Sequence, residues 1–402
     1  MDGGFQRVTP LTEARERLRE VCSPHGRTET VPVERAAGRV LAGPVRAGRA
    51  VPHYDRAAMD GFAIRAADTV GARERSPVRL DPTDGAVGQR QAAQVHTGSA
   101  MPEGADAVVM VEATERRGGT LTVYDAVAEG ENVAPAGEDV RADQSLLSGG
   151  HRLRASDLAL LRATGAASVE VRQRPRVSVL PTGEELVPAG ETPEPGEIVE
   201  TNGLVVSTLA ESWGGSATYR DIVTDDPEGL RAAIDRDTDH DVVATTGGSS
   251  VGERDLVTDA VADLGEMCVH GVALKPGHPV GFGVVDGTPV LVLPGYPVSC
   301  LVNAVQFLRP AIAWLAGTVP APFPTVRGRL TAKLRSDPGE RTFARVRFAD
   351  EGNDAKRGVE PVGVSGAGVM SSVAAADGWV EIPESREGIP AGETVDVGVW
   401  NV

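Results

Sequence analysis

Three short segments of this 402-residue chain combine residues suited to holding an anion. The longest, Thr246-Gly247-Gly248-Ser249-Ser250-Val251-Gly252-Glu253-Arg254-Asp255, follows the apolar run Val242–Thr245 and precedes a predicted helix. Glycines let backbone N–H groups approach an anion closely, serines add hydroxyl donors, and a following helix offers its positive N-terminus. The Gly-Lys-Ser/Thr ending of a Walker loop is missing. A Gly-Gly turn alone describes an ordinary strand-to-helix connection equally well; the Ser-Ser-x-Gly-x-x-Asp continuation favours the anion. The second segment, Leu274-Lys275-Pro276-Gly277-His278-Pro279, holds one of only three lysines among 40 Lys and Arg residues. A solvated loop lysine is the simpler reading in a lysine-rich protein; this scarcity favours contact with a phosphate or oxyanion. The third, Leu293-Pro294-Gly295-Tyr296-Pro297-Val298-Ser299, is accounted for, taken alone, as a rigid connection with a helix cap.

Carboxylates stand at comparable places: Asp60, Asp139, Glu185, Asp226 and Asp255. Acids beside phosphate-binding loops suit Mg²⁺, which takes one or two carboxylates together with substrate phosphates. In so acidic a chain any single Asp is unremarkable, and Asp226 is already explained as a helix cap before Pro227.

The elements that would position these residues are legible as patterns. Thr9-Pro10 opens a helix whose Leu11, Ala14, Leu18 and Val21 share a face, and Ser156 is expected to cap another. Residues 51–146 read as short β pieces between Gly, Asp and Pro turns. From Arg176 to Leu315, strands at Val177–Leu180, Ala217–Val223, Val242–Thr245 and Val290–Leu293 alternate with helices at Leu204–Trp213, after Asp226-Pro227, at Asp255–Leu264 and at Val298–Leu315. That rhythm predicts a doubly wound, mainly parallel α/β sheet, whose ligands bind beyond the carboxyl ends of the strands. After Pro320 the pattern returns to β.

Composition limits the function classes. Net charge is −17 and apolar content 41%, so real cores can form and no basic stripe exists to bind nucleic acid. Acidity with so little lysine fits adaptation to high salt, and a GC-rich genome, which favours arginine and alanine, accounts for it equally. At about 1 M salt the Debye length is roughly 3 Å, so an anionic substrate is still admissible. Cys22, Cys268 and Cys300 lack metal-ligand spacing and read as reduced thiols. No apolar run is expected to span a bilayer and no secretory signal is read at the start, so a cytoplasmic protein is expected.

Taken together, the segments resemble the molybdopterin molybdenumtransferase family, to which the C-terminal part of gephyrin also belongs. The matching stretches are Asp55–Ala63, His96-Thr97-Gly98 with Met101–Val109, Gly137-Glu138-Asp139, Thr182-Gly183-Glu184-Glu185-Leu186, Thr201-Asn202, Thr246–Asp255, Lys275–Pro279 and Pro294–Ser299. They occur in family order, and Ser365-Gly366-Ala367-Gly368 with Ala376-Asp377-Gly378 also fits.

The resemblance implies a multidomain chain. An N-terminal helix (1–26) packs on a molybdopterin-binding α/β domain (176–320). A split elongated domain (27–50 and 147–175) flanks an inserted β domain (51–146), and a C-terminal β-barrel-like domain (321–402) ends the chain. It implies a homodimer whose clefts bring Asp60, Thr97 and Asp139 of one subunit toward Glu185, Asp226, Asp255, Lys275 and His278 of the other. The implied reaction inserts molybdate into adenylylated molybdopterin with Mg²⁺-dependent release of AMP, Mg²⁺ being held by Glu185, Asp226 and Asp255. Thr182, Gly183, Thr246, Gly247, Gly248, Ser249, Ser250, Gly252, Pro294, Gly295, Pro297, Ser299 and Ser365 would hold the pterin substrate. A molybdopterin-adenylating enzyme is the implied upstream partner. This chain departs from the family at His278, where a second lysine is common, and at Tyr296, where asparagine is common. A histidine is charged only below its pKa, so oxyanion affinity would depend on pH.

Two other readings compete. A molybdopterin adenylyltransferase shares the α/β domain but is compact, which the extra β regions oppose. A non-catalytic dimeric scaffold of the same fold is opposed by the intact set of acids and Lys275.

Overall fold

The computed structural model describes residues 8–248, 255–349, 357–362 and 368–399. The chain divides into two units, Thr28–Val171 and the remainder, Met1–Arg27 with Arg172–Val402.

In the larger unit, six strands form one sheet in the order Ser216–Tyr219, Arg176–Pro181, Val242–Thr246, Thr288–Leu293, Gly281–Val285, Glu266–His270. The first four are parallel and the last two antiparallel to their neighbours. Side chains alternate between two cores. Val177, Val179, Val242, Ala244, Leu291 and Leu293 face one with Leu11, Ala14 and Leu18 of the helix Leu11–Val21, Val206 and Ala210 of Asn202–Ser212, and Phe307 and Ile312. Leu180, Val243, Val290 and Val292 face the other, with Leu230 and Ile234 of Pro227–Arg236 and Val257 and Val261 of Leu256–Leu264. Burial on both faces explains why these strands read as continuous apolar runs.

The stretch Pro297–Leu315 is helical throughout, with a π turn at Ala304–Leu308. Pro310 has no N–H to give the carbonyl four residues earlier. That carbonyl, of Gln306, instead accepts Arg15 Nε at 3.1 Å, which ties the N-terminal helix to this one. Contrary to expectation, this segment is long and apolar enough to cross a membrane by composition, but 89% of it is buried in the fold, as for a core helix.

The C-terminal strands close on themselves. Arg341–Phe348, Gly358–Pro361, Thr325–Leu330, Thr394–Val399 and Gly378–Ile382 pair in turn, and the last returns to the first. Leu330, Val346, Val359, Val380, Ile382, Val395 and Val397 fill this five-stranded barrel. Leu274–Lys275, a piece of the anion-loop sequence, adds to it as a parallel strand beside Arg341 and Thr342.

Besides a small cluster of Ala57, Ala63, Val95 and Val108, the unit Thr28–Val171 has two larger cores of its own. Phe62, Ile64, Leu80, Val109, Leu121 and Val123 lie on a six-stranded sheet running Ala107–Met110, Gly61–Ile64, Gln91–Val95, Val78–Thr83, Thr120–Val123, Thr114–Arg117. Val31, Val33, Leu41, Leu153, Leu161 and Val171, from the two flanking stretches, make the second.

Several expected boundaries move. The first helix is preceded by Pro10, not capped by Thr9, whose N–H bonds Gly271 O at 3.0 Å. Ser156 lies inside the helix Ala155–Ala163; its start is closed by Asp157, whose buried carboxylate accepts Arg154 N at 2.8 Å and lies 2.7 Å from His151 Nε2. The strand expected at Ala217–Val223 ends at Tyr219, and Val223 meets the sheet again only as a bridge to Thr182.

Asp237, fully buried, accepts Ser178 Oγ at 2.7 Å, Arg220 Nη2 at 2.6 Å and Arg236 Nη2 at 3.0 Å. Burial alone would raise its pKa; these donors overcome that and hold it at about 2, below the ordinary 3.8. A depressed carboxylate pKa contributes stability that is present above the unfolded-state value and lost as pH falls through the folded one. Asp237→Asn is therefore expected to flatten the acid limb of denaturant-measured stability between about pH 4 and pH 2. It should also cost on the order of 3 kcal/mol at neutral pH. An unchanged acid limb would contradict this role.

Candidate active site

Strand order reverses at Arg176–Pro181: the chain first lays Ser216–Tyr219 on one side of it, then Val242–Thr246 on the other. The crevice at the carboxyl ends of Arg176–Pro181 and Val242–Thr246 is the topological switch point where such sheets bind ligands. The loops Thr182-Gly183, Thr246-Gly247-Gly248 and Pro294-Gly295 meet there, backbone against backbone. Gly247 donates its N–H to Leu293 O at 3.0 Å, and a Cβ on it would lie 2.1 Å from Thr182 O, with φ +137°. A Cβ on Gly295 would stand 3.5 Å from Gly247 Cα, and Asn202 Nδ2 donates to Gly295 O at 2.7 Å.

Around this contact lie buried polar atoms that no described residue satisfies: Thr182 Oγ1, Thr246 Oγ1 and Asn202 Oδ1. Buried polar groups in native proteins are nearly always partnered. Three together at the switch point leave hydrogen-bonding capacity there that a polar ligand can use.

The acids occupy the same edge but do not converge. Asp226 Oδ2 caps Pro227–Arg236 through Gly229 N at 2.7 Å. Asp255 Oδ1 caps Leu256–Leu264 through Thr258 N at 3.1 Å, and its Oδ2 lies 3.2 Å from His270 Nε2. Glu185 is exposed, its carboxylate folded back over Gly183. Among the described residues no three His, Cys, Asp or Glu side chains gather to hold a metal, so Glu185, Asp226 and Asp255 do not form a protein-only ligand set. Each cap uses one carboxylate oxygen, and Asp255 Oδ2 accepts no hydrogen bond from the described residues. That fits Mg²⁺ only where substrate phosphates supply the other ligands.

Lys275 is hydrogen-bonded through Nζ to Asp337 of the C-terminal region, and this partner raises its pKa. His278, half-buried, fixes the turn through its own carbonyl, which accepts Val272 N at 2.9 Å. Asn303 Nδ2 bridges the second and third segments, donating to Gly277 O at 3.0 Å and Ser299 O at 2.9 Å. Ser299 and Pro294 are buried, Pro297 is half-buried, and Tyr296 is 67% exposed. A Cβ on Gly368 would approach the Tyr296 ring to 3.5 Å.

In the other unit, Asp60 Oδ1 accepts both Thr97 N at 2.7 Å and Thr97 Oγ1 at 3.0 Å. These bonds lower its pKa, so it is held as a carboxylate. Asp139 is exposed on a loop tied by its N–H to Val51 O at 3.0 Å. Ser249, Ser250, Gly252 and Ser365 lie outside the described residues.

Sequence reasoning passed over Glu200, Asn303 and Asp337. Glu200 is buried, accepts Gly203 N at 2.6 Å and takes the Tyr219 hydroxyl, so it shapes the helix start beside Asn202. Its signal was an acid immediately before the Thr201-Asn202 stretch. Asp337 gave no local signal, because its partner is 62 residues away in sequence.

The described residues thus combine a doubly wound α/β domain with a polar crevice at its switch point, a closed C-terminal barrel and a separate β-rich unit. Three family profiles match in order: the MoeA N-terminal region (domain I and II) over residues 9–165, the "Probable molybdopterin binding domain" over 178–314, and the MoeA C-terminal region (domain IV) over 327–400. The chain is 34% identical over 391 residues to molybdopterin molybdenumtransferase 2 of Mycobacterium tuberculosis, covering 93% of this chain and 95% of that one. It is 31% identical over 381 residues to the molybdopterin molybdenumtransferase of Staphylococcus aureus, covering 92% and 90%. Two crystal structures of a molybdopterin biosynthesis MoeA protein from Pyrococcus horikoshii superpose with TM-score 0.84, at 35% and 31% identity. They cover 98% of this chain and 99% and 100% of theirs. The chain belongs to the MoeA family of molybdopterin molybdenumtransferases.

Gly247→Ala should push Thr182 and Gly247 apart, since the clash is with backbone and the φ is one that side chains rarely adopt. Molybdopterin affinity is expected to fall at least about tenfold while the far-ultraviolet dichroism is kept, at a stability cost of about 1–3 kcal/mol. Wild-type affinity in titration would contradict the close approach.

Proposed function

We propose that this protein inserts molybdate into adenylylated molybdopterin and releases AMP with the help of Mg²⁺, in the cytoplasm and as a homodimer. The observation that carries this reading is the group of unsatisfied buried atoms at the switch point, Thr182 Oγ1, Thr246 Oγ1 and Asn202 Oδ1, beside a loop that only glycine permits.

The residues divide the work by their chemistry. Thr182, Thr246, Gly247 and Gly248 present hydroxyl and backbone groups to the phosphate end of the substrate, with Gly183 closing the Thr182 side. Asn303 keeps the Lys275 turn and the Pro294–Ser299 segment together, so that ammonium and pterin pocket stay in register. Lys275 and His278 meet the oxyanion, Lys275 as a fixed positive charge. Asp226 and Asp255 would hold Mg²⁺ through their second carboxylate oxygens, with Glu185 beside them; the ion, when bound, would neutralise the charge on the phosphate oxygens of the anhydride link. Asp60, oriented by Thr97, and Asp139 stand in the other unit, and the homodimer is the part of the reading that assigns them to the same reaction. The substrate's own dithiolene supplies soft ligands to molybdenum, in keeping with the absence of cysteine clustering in the sequence.

Purified protein given Mg²⁺, adenylylated molybdopterin and molybdate is expected to release AMP, in low or high salt. Lys275→Ala and Asp60→Ala should each reduce the rate on the order of a hundredfold, the scale of losing one preorganised electrostatic contact. No molybdate-dependent AMP in either salt would remove the reaction. ATP consumption without molybdate would favour an adenylyltransferase, and tight protein-partner binding without molybdopterin binding would favour a scaffold. Near-wild-type rates in both variants would remove these two residues from the site.

A further inference from the structure

The Lys275 ammonium is the group the proposed reaction most needs free, yet it is engaged. Its partner, Asp337, comes from the C-terminal region rather than from the α/β domain that carries the crevice. The engagement is built, not incidental. Leu274–Lys275 runs as a parallel strand beside Arg341 and Thr342, and Arg341 N donates to Ala273 O at 3.0 Å. The segment bearing Asp337 is anchored to the same strand by Ser336 Oγ and Thr342 Oγ1 at 2.7 Å, and Gly339 N reaches Glu384 O at 3.0 Å. Lys275 and Asp337 are thus carried on one piece of main-chain scaffolding. Both side chains remain open to solvent, at 52% and 64% exposure, so an incoming anion can reach the pair.

We infer that Asp337 is a positioning residue: it holds Lys275 extended along the barrel edge and is displaced by the oxyanion substrate. This rests on the proposed oxyanion role of Lys275. An exposed lysine–carboxylate pair is worth only about 0–1 kcal/mol, little enough for a dianion to exchange with it. In the resting protein Asp337 fixes the direction of the ammonium. It also opposes a weakly bound anion, because any oxyanion must compete with a carboxylate already in place. The family departure at His278 sharpens the point. With histidine where a second lysine is common, Lys275 is the permanent cation of this turn, and its availability sets how tightly the oxyanion binds.

The scarcity of lysine makes the test direct. Trace acetylation with acetic anhydride, read by mass spectrometry of peptides, reports the reactivity of Lys275 against the exposed Lys333 as an internal reference. In Asp337→Asn the amine loses the partner that raises its pKa, and its labelling relative to Lys333 should rise roughly two- to fivefold. Molybdate should slow Lys275 labelling in both proteins, with half-protection at a lower concentration in the variant. In turnover, the KM for molybdate should fall by a similar factor while kcat changes less, and Asp337→Glu should restore wild-type behaviour. Unchanged Lys275 labelling in Asp337→Asn, or protection at the same molybdate concentration in both proteins, overturns the inference. So does a joint loss of kcat and melting temperature with no shift in KM, which would mark Asp337 as structural. Should the wild-type chain release no AMP while labelling and protection behave as expected, the proposed reaction falls and the Asp337–Lys275 clamp stands as an oxyanion site.

Discussion

Between Gly247 and the carbonyl of Thr182 there is no room for a side chain, and the rest of the crevice follows from that approach. Parallel strands deliver the loops after Pro181, Thr246 and Leu293 to one edge of the sheet. Only where strand order reverses do two of those loops diverge enough to leave a crevice and stay close enough to share its walls. The glycine lets the main chains touch, the Gly247–Leu293 bond sets their spacing, and Asn202 fixes the third loop through Gly295 O. What remains is a rim of threonine and asparagine atoms with unfilled hydrogen-bonding capacity. The cores above and below the sheet hold this arrangement still, since period-two burial gives the central strands two packed faces.

The electrostatic half of the site is built differently. Lys275 is positioned by strand addition to a closed barrel, so the C-terminal region sets where this side chain stands at the edge of the α/β domain. Asp226 and Asp255 are helix caps before they are anything else, and each has one oxygen committed. This explains why carboxylates spaced so suggestively in sequence gather no three-ligand metal cluster among the described residues. Their remaining oxygens suit a cation that arrives with phosphate.

How much of this could be read from the sequence varied with the range of the interaction. The doubly wound sheet was legible because buried parallel strands and their helices carry strong periodic patterns, and the Asp226 cap because its signal is local. Asp60 and Thr97 were both singled out, and their direct hydrogen bonds show why both residue types occur there. Boundaries failed where a competing partner was invisible. Thr9 is drawn to Gly271 across the fold, and Asp157 rather than Ser156 closes the start of Ala155–Ala163. Asp337 and Asn303 were out of reach because their contacts with Lys275 and Gly277 span 62 and 26 positions. The Arg15–Gln306 bond needed the knowledge that Pro310 leaves a carbonyl free beside the first helix.

In the proposed reaction the crevice at the carboxyl ends of Arg176–Pro181 and Val242–Thr246 holds the substrate. A crystal structure of the protein soaked with AMP and tungstate, located by its anomalous scattering, tests this most directly. The AMP phosphate is expected against Thr182, Thr246 and Gly247, with tungsten beside Lys275 and the Lys275–Asp337 contact opened. Phosphate and tungsten bound elsewhere, with Thr182 Oγ1, Thr246 Oγ1 and Asn202 Oδ1 still unsatisfied at the resulting resolution, would contradict it.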